Sequence, residues 1–95
     1  LFIVQLLDKE GVPLENAEVN AKFTRSAEQE LNHDVELAMT EPGLYSIPIN
    51  FPRVGPWGLE LNVIRGDDTY ELVARTLVNC APGKECDMEE KLRVH

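Results

Sequence analysis

The feature that most constrains this chain is an alternation of apolar and polar residues with period two, repeated along almost its whole length. In "AEVNAKF", Ala17, Val19, Ala21 and Phe23 share one face, and Glu18, Asn20 and Lys22 share the other. Successive strand residues point to opposite sides of a sheet, so this pattern builds a strand with one buried face. "VELAM" repeats it with Val35, Leu37 and Met39 inward. "YSIPINF" does so with Tyr45, Ile47, Ile49 and Phe51, and "WGLELNV" with Trp57, Leu59, Leu61 and Val63. "LFIVQLL" and "YELVARTLV" are apolar on both phases, the pattern of strands buried on both faces. "LRV" near the end supplies a short seventh strand.

Turn signals separate these runs: "DKEGVPLEN", "EPG", "PRVGP", "RGDD" and "APGKE". Strands at about ten-residue spacing with Gly/Pro punctuation predict an all-β, immunoglobulin-like sandwich of about seven antiparallel strands. A length of 95 residues suits a single domain, 1–95. Pro42-Gly43 turns one strand into the next, and Gly55-Pro56 starts the tryptophan strand. Pro48 cannot donate to a ladder, which predicts an edge position or a bulge. Tyr45 and Trp57 are expected to open two strands at the same end and cap the core. "SAEQELNHD", residues 26–34, is read as one helical turn or a loop.

Charge narrows the function. The formal net charge is -8, and the nine Lys and Arg residues are scattered singly, without a basic stripe. Nucleic acid is therefore an unsuitable partner, and so is an anionic membrane surface. A negative field of this size serves solubility or docking to a basic protein. The sequence begins at Leu1 and contains no apolar run of membrane-spanning length. The expectation is a start set by processing or truncation, with any membrane anchor lying before it.

Catalysis finds little support. The serines are Ser26 and Ser46 and the histidines His33 and His95, with no nucleophile elbow and no Cys-His motif. Gly55 and Gly58 lead into a strand and not into a helix, so they form no phosphate loop. No pair stands out among the seventeen acids. The expectation is a protein that is not an enzyme and has no cofactor. Copper ligands would be drawn from His33, Met39, Met88, His95, Cys80 and Cys86, which lack tight Met-x-x-Met or His-x-His spacing. Met39 is in phase with the core, and His33 reads as a surface turn residue. "RGD", residues 65–67, is ordinary hairpin chemistry.

Cys80 and Cys86 frame a Pro-Gly turn in "CAPGKEC". In an oxidising compartment they would form a disulfide; in the cytosol they would stay thiols, and a metal or redox pair is the third reading. The five residues between them do not match Cys-x-x-Cys.

Two stretches resemble the FixH family: "VQLLDKEGVPLENAEVNAKFTR" and "HDVELAMTEPGLYSIPINFPRVGPWGLEL". The matching residues are Asp8, Gly11, Pro13, Phe23, Arg25, Asp34, Leu37, Gly43, Tyr45, Gly55, Trp57 and Leu59. They lie within residues 3 to 72, and the cysteine-bearing tail falls outside. A YtkA-like domain, which shares the sandwich, is the looser resemblance. The FixH likeness implies a short N-terminal membrane anchor followed by an extracytoplasmic or periplasmic sandwich. It also implies work beside a copper-transporting ATPase and oxidase subunits in assembling a cbb3-type cytochrome c oxidase, linked to nitrogen fixation. No catalytic residue carries over, because the matching positions are turn and core types. A periplasmic copper-binding module and an Ig-like interaction domain of a larger surface protein are the alternatives.

Overall fold

The computed structural model describes residues 1–94, so His95 lies outside the described residues. Seven strands follow one another: β1 (Phe2–Leu7), β2 (Glu18–Thr24), β3 (His33–Glu41), β4 (Leu44–Ile47), β5 (Gly55–Arg65), β6 (Asp68–Val78) and β7 (Met88–Arg93). The expected helical turn is a single 3-10 turn, Gln29–Leu31. The strands hydrogen-bond in the order β6-β5-β2-β3-β4-β1-β7.

This array folds over at β3. Residues 33–37 of β3 pair with β2, whereas 38–41 pair with β4 across a register shift between Met39 and Glu41. One strand thus serves two layers, the way sandwiches turn their corners. The inner faces meet in a core of Phe2, Val4 and Leu6 from β1, Val19, Ala21 and Phe23 from β2, Tyr45 from β4, and Trp57, Leu59, Leu61 and Val63 from β5. All are buried, so the period-two reading holds for these strands. Phe2 and Phe23 meet edge-on across the layers, ring centroids 5.4 Å apart.

The all-β, seven-strand expectation is met, with one difference: β7 runs parallel to β1, from Phe2↔Met88 to Leu7↔Arg93. The remaining ladders are antiparallel. Other details also depart from expectation. "YELVARTLV" is not buried on both faces. It forms β6, an edge strand, and its residues 69, 71, 73, 75 and 77 are exposed. A covering layer, and not apolar content, decides the burial of a face, and the outer face of this sheet is open on β5 as well, where Pro56, Glu60 and Ile64 are exposed. Pro48 marks neither an edge nor a bulge; the internal strand β4 simply ends at Ile47, where the missing N–H would be needed. Ile49 and Phe51 remain buried beyond the strand end. Met39 keeps the inward phase, yet it is 43% exposed. At that point β3 is leaving the first layer for the second, and the side chain is covered only in part.

Candidate functional site

The residues that carry the family resemblance gather at two opposite poles of the sandwich. The first pole is made of turns. Asp8 accepts hydrogen bonds at one carboxylate oxygen from the N–H groups of Glu10 (2.8 Å) and Val12 (2.9 Å). That side chain closes the turn after β1 and stands in for a backbone acceptor. Gly11 takes φ +83° there, a left-handed conformation that suits glycine. Pro13 then bridges back to Leu7.

Gly43 lies against this turn. Its carbonyl accepts from Leu6 N–H at 2.8 Å. A Cβ at Gly43 would stand 2.6 Å from Pro13 Cβ, and its φ is +77°. The position thus requires glycine twice over, for backbone angle and for space. Tyr45 completes the pole: its hydroxyl donates to Leu14 C=O (2.9 Å) and accepts from Ala17 N–H (3.1 Å). This one oxygen ties two points of the loop before β2, which Leu6 C=O and the Arg65 side chain also hold. Tyr45→Phe should therefore cost about 1–2 kcal/mol in urea unfolding, because two loop groups lose their partner while the ring stays packed. An unchanged midpoint would show that water replaces the hydroxyl freely.

Trp57 belongs to the other pole. Tyr45 reaches the residue before β2, whereas Trp57 lies beside Gly58, which pairs with Thr24 at the end of β2. The two aromatics therefore cap opposite ends of the core, contrary to the expectation of a shared end. The reason is direction: β3 and β5 both run antiparallel to β2, and β4 runs antiparallel to β3, so β4 and β5 start at opposite ends. Trp57 is buried and donates its indole N–H to Arg53 C=O at 3.0 Å. Its ring packs with Phe51 (5.2 Å between centroids) and His33 (5.8 Å), and Phe23 joins through both.

His33 is thus no surface turn residue. It starts β3, is half-buried, stacks on Phe23 at 5.5 Å, and its Nδ1–H donates to Leu31 C=O at 3.1 Å. No alternation marks this role, since His33 lies at a strand start.

Arg25 seals the second pole. Its guanidinium lies 5.4 Å from the Trp57 ring centroid, a cation–π distance. It donates to Val54 C=O at 2.8 Å and pairs with Glu28 at 3.0 Å. Glu28 also reaches Arg53 at 3.4 Å. Gly55 takes φ +108°, a backbone angle that suits glycine, and a Cβ there would make ordinary contact with the guanidinium, 3.8 Å from two of its nitrogens. A surface depression of about 210 Å³ opens beside this group, lined by Thr24, Arg25, Ser26, Trp57 and Arg75 among others. Glu28 and Arg53 have no sequence signal. They meet only because the 3-10 turn and the loop before β5 fold to the same end.

A model of the FixH family matches residues 2–76, most of the chain. The chain belongs to the FixH family. No curated protein and no solved structure matches it. FixH membership suggests an accessory role in oxidase assembly or nitrogen fixation.

The tail lies beyond the matched residues and closes the fold. Cys80 and Cys86 are joined as a disulfide, their Cα atoms 5.7 Å apart. Cys86 N–H donates to Ile49 C=O (2.8 Å) and Gly83 N–H to Phe51 C=O (3.1 Å). The small ring therefore pins the segment that carries Phe51 into the aromatic pole. The other copper-ligand candidates do not converge: Met88 packs against the core from β7, Met39 lies in β3 where that strand passes between the layers, and His33 is in the aromatic cluster. Among the described residues no group of three or more His, Cys, Asp or Glu is placed to hold a metal ion.

Proposed function

We propose that this FixH domain is a non-enzymatic docking module that assists assembly of a cbb3-type cytochrome c oxidase. It would act at the periplasmic face of the inner membrane, held there by an anchor preceding Leu1. One observation carries the reading. Four of the five polar groups of the family motif are turned onto the chain itself, Asp34 at the exposed start of β3 being the exception. The Asp8 carboxylate, the Tyr45 hydroxyl, the Trp57 N–H and the Arg25 guanidinium each bond a backbone group. A motif used this way builds a scaffold, and recognition falls to the surface around it.

That surface carries a net charge of -8. Such a field accelerates encounter with a basic patch, and the effect fades as salt shortens its reach. Oxidase subunits or a copper-transporting ATPase are the partners the family implies. Copper would then pass through the partner, with the FixH domain positioning it and holding no metal of its own.

The test uses the full-length, membrane-anchored protein. Photo-cross-linkers on its acidic surface should capture oxidase subunits or the ATPase, less efficiently as salt rises and equally with or without chelator. Anaerobic calorimetry with Cu(I) should show no tight stoichiometric site. One equivalent bound with sub-micromolar affinity, and lost on changing His33 or Met88, would overturn docking alone in favour of a copper module.

A further inference from the structure

The two free edges of the array are built differently. β7 is short and heavily charged, with Glu89, Glu90, Lys91 and Arg93 in six residues. Charges of this density discourage strand addition. β6 has eleven residues, no proline and an unbroken register against β5 from Gly55↔Val78 to Arg65↔Asp68. Its middle, Leu72–Thr76, carries one charge, Arg75. Val73 and Leu77 are 74% and 73% exposed, the two most exposed large apolar side chains among the described residues.

The register defines what this edge offers. β5 and β6 are joined by the two-residue turn Gly66-Asp67, with Gly66 at φ +61°. A turn of this kind makes Arg65 and Asp68 a hydrogen-bonded pair. Counting on from Asp68, even-numbered residues bond to β5. Odd-numbered ones (69, 71, 73, 75 and 77) direct their N–H and C=O to the open side. The side chains of the same odd residues share the outer face, away from Leu61 and the core.

We propose that β6 pairs with β6 of a second copy, antiparallel, about a two-fold axis at Val73. The sequence around Val73 is self-complementary in this register. Glu71 lies two residues before the axis and Arg75 two after, so each Glu71 faces the partner's Arg75, twice by symmetry. Val73 meets Val73, and Thr69 covers Leu77. Arg75 forms no ion pair with any described residue, so it is available for this contact. Directly opposed unlike charges stabilise an antiparallel pair, and like charges weaken it. The contact is isologous and closes at two copies, leaving the charged β7 edges outward.

Sedimentation equilibrium at physiological salt, up to millimolar protein, tests this. The wild-type chain should reach a monomer–dimer equilibrium. Glu71→Arg and Arg75→Glu should each weaken it roughly tenfold or more, because one change makes two contacts repulsive. Mixing the two variants should restore a heterodimer, and the double swap E71R/R75E should restore the homodimer. Val73→Lys should abolish it. All these positions are exposed, and circular dichroism checks that each variant stays folded. A wild type monomeric over the whole range, or a dimer indifferent to the single swaps or not restored by mixing, overturns the proposal.

Discussion

Truncating Trp57 to Ala should lower stability by about 3–5 kcal/mol, the range for deleting a large buried aromatic side chain. For a domain of this size that is a fall in Tm of roughly 15–30 °C. The expectation follows from what the ring touches. Trp57 is buried, packs against Phe51 and His33, lies under Arg25, and its N–H satisfies the Arg53 carbonyl. Its loss opens a cavity and also releases the loop before β5. Calorimetric or urea unfolding measures it. An unchanged Tm would mean that the pole is loosely packed, and the depression beside Arg25 and Arg75 would then be a ligand-stacking site. Arg25→Ala separates the two roles further. It should cost far less than Trp57→Ala, since the guanidinium covers the ring from outside.

The alternation in the sequence made most of this core readable. Val19, Ala21 and Phe23, or Leu59, Leu61 and Val63, are buried as their phase requires, because the opposite layer packs on that face of both strands. Phase alone fails where coverage changes. Met39 is in phase but sits where β3 passes between layers, and Val73 and Leu77 lie on the outer face of an edge strand. Nothing local in the sequence reports which strand will be last in the sheet. The turn pole was legible because Asp8, Gly11, Pro13 and Gly43 act on their near neighbours. The Arg25, Glu28, Arg53 and His33 grouping was not, because it depends on two connections distant in sequence, β2–β3 and β4–β5, arriving at the same end. The parallel seating of β7 on β1 was equally hidden, since pairing direction depends on the path of residues 79–87 and leaves no mark on strand periodicity.

The path of residues 79–87 sets the second large expectation. Replacing Cys80 and Cys86 by Ala together should destabilise the domain by about 2–3 kcal/mol. Closing a ring of this size restricts the unfolded chain by about 2 kcal/mol, and the buried Cys86 sulfur adds packing. The effect should reach beyond the ring. Cys86 and Gly83 hold the carbonyls of Ile49 and Phe51, so loosening the tail frees the segment that supplies Phe51 to the Trp57 pole. Hydrogen exchange at the Cys86 and Gly83 amides should therefore accelerate more than at amides of β2 and β5. Protein isolated from its native host should have an intact mass two hydrogens lighter than after reduction, with no alkylatable thiol until reduced. Reductant should lower the wild-type Tm towards that of the double-Ala protein and leave the latter unmoved. Two freely reactive thiols in freshly isolated protein would remove the bond from the native fold. The proposed oxidising, periplasmic location would then lose support as well, because a pair this close would be expected to oxidise there.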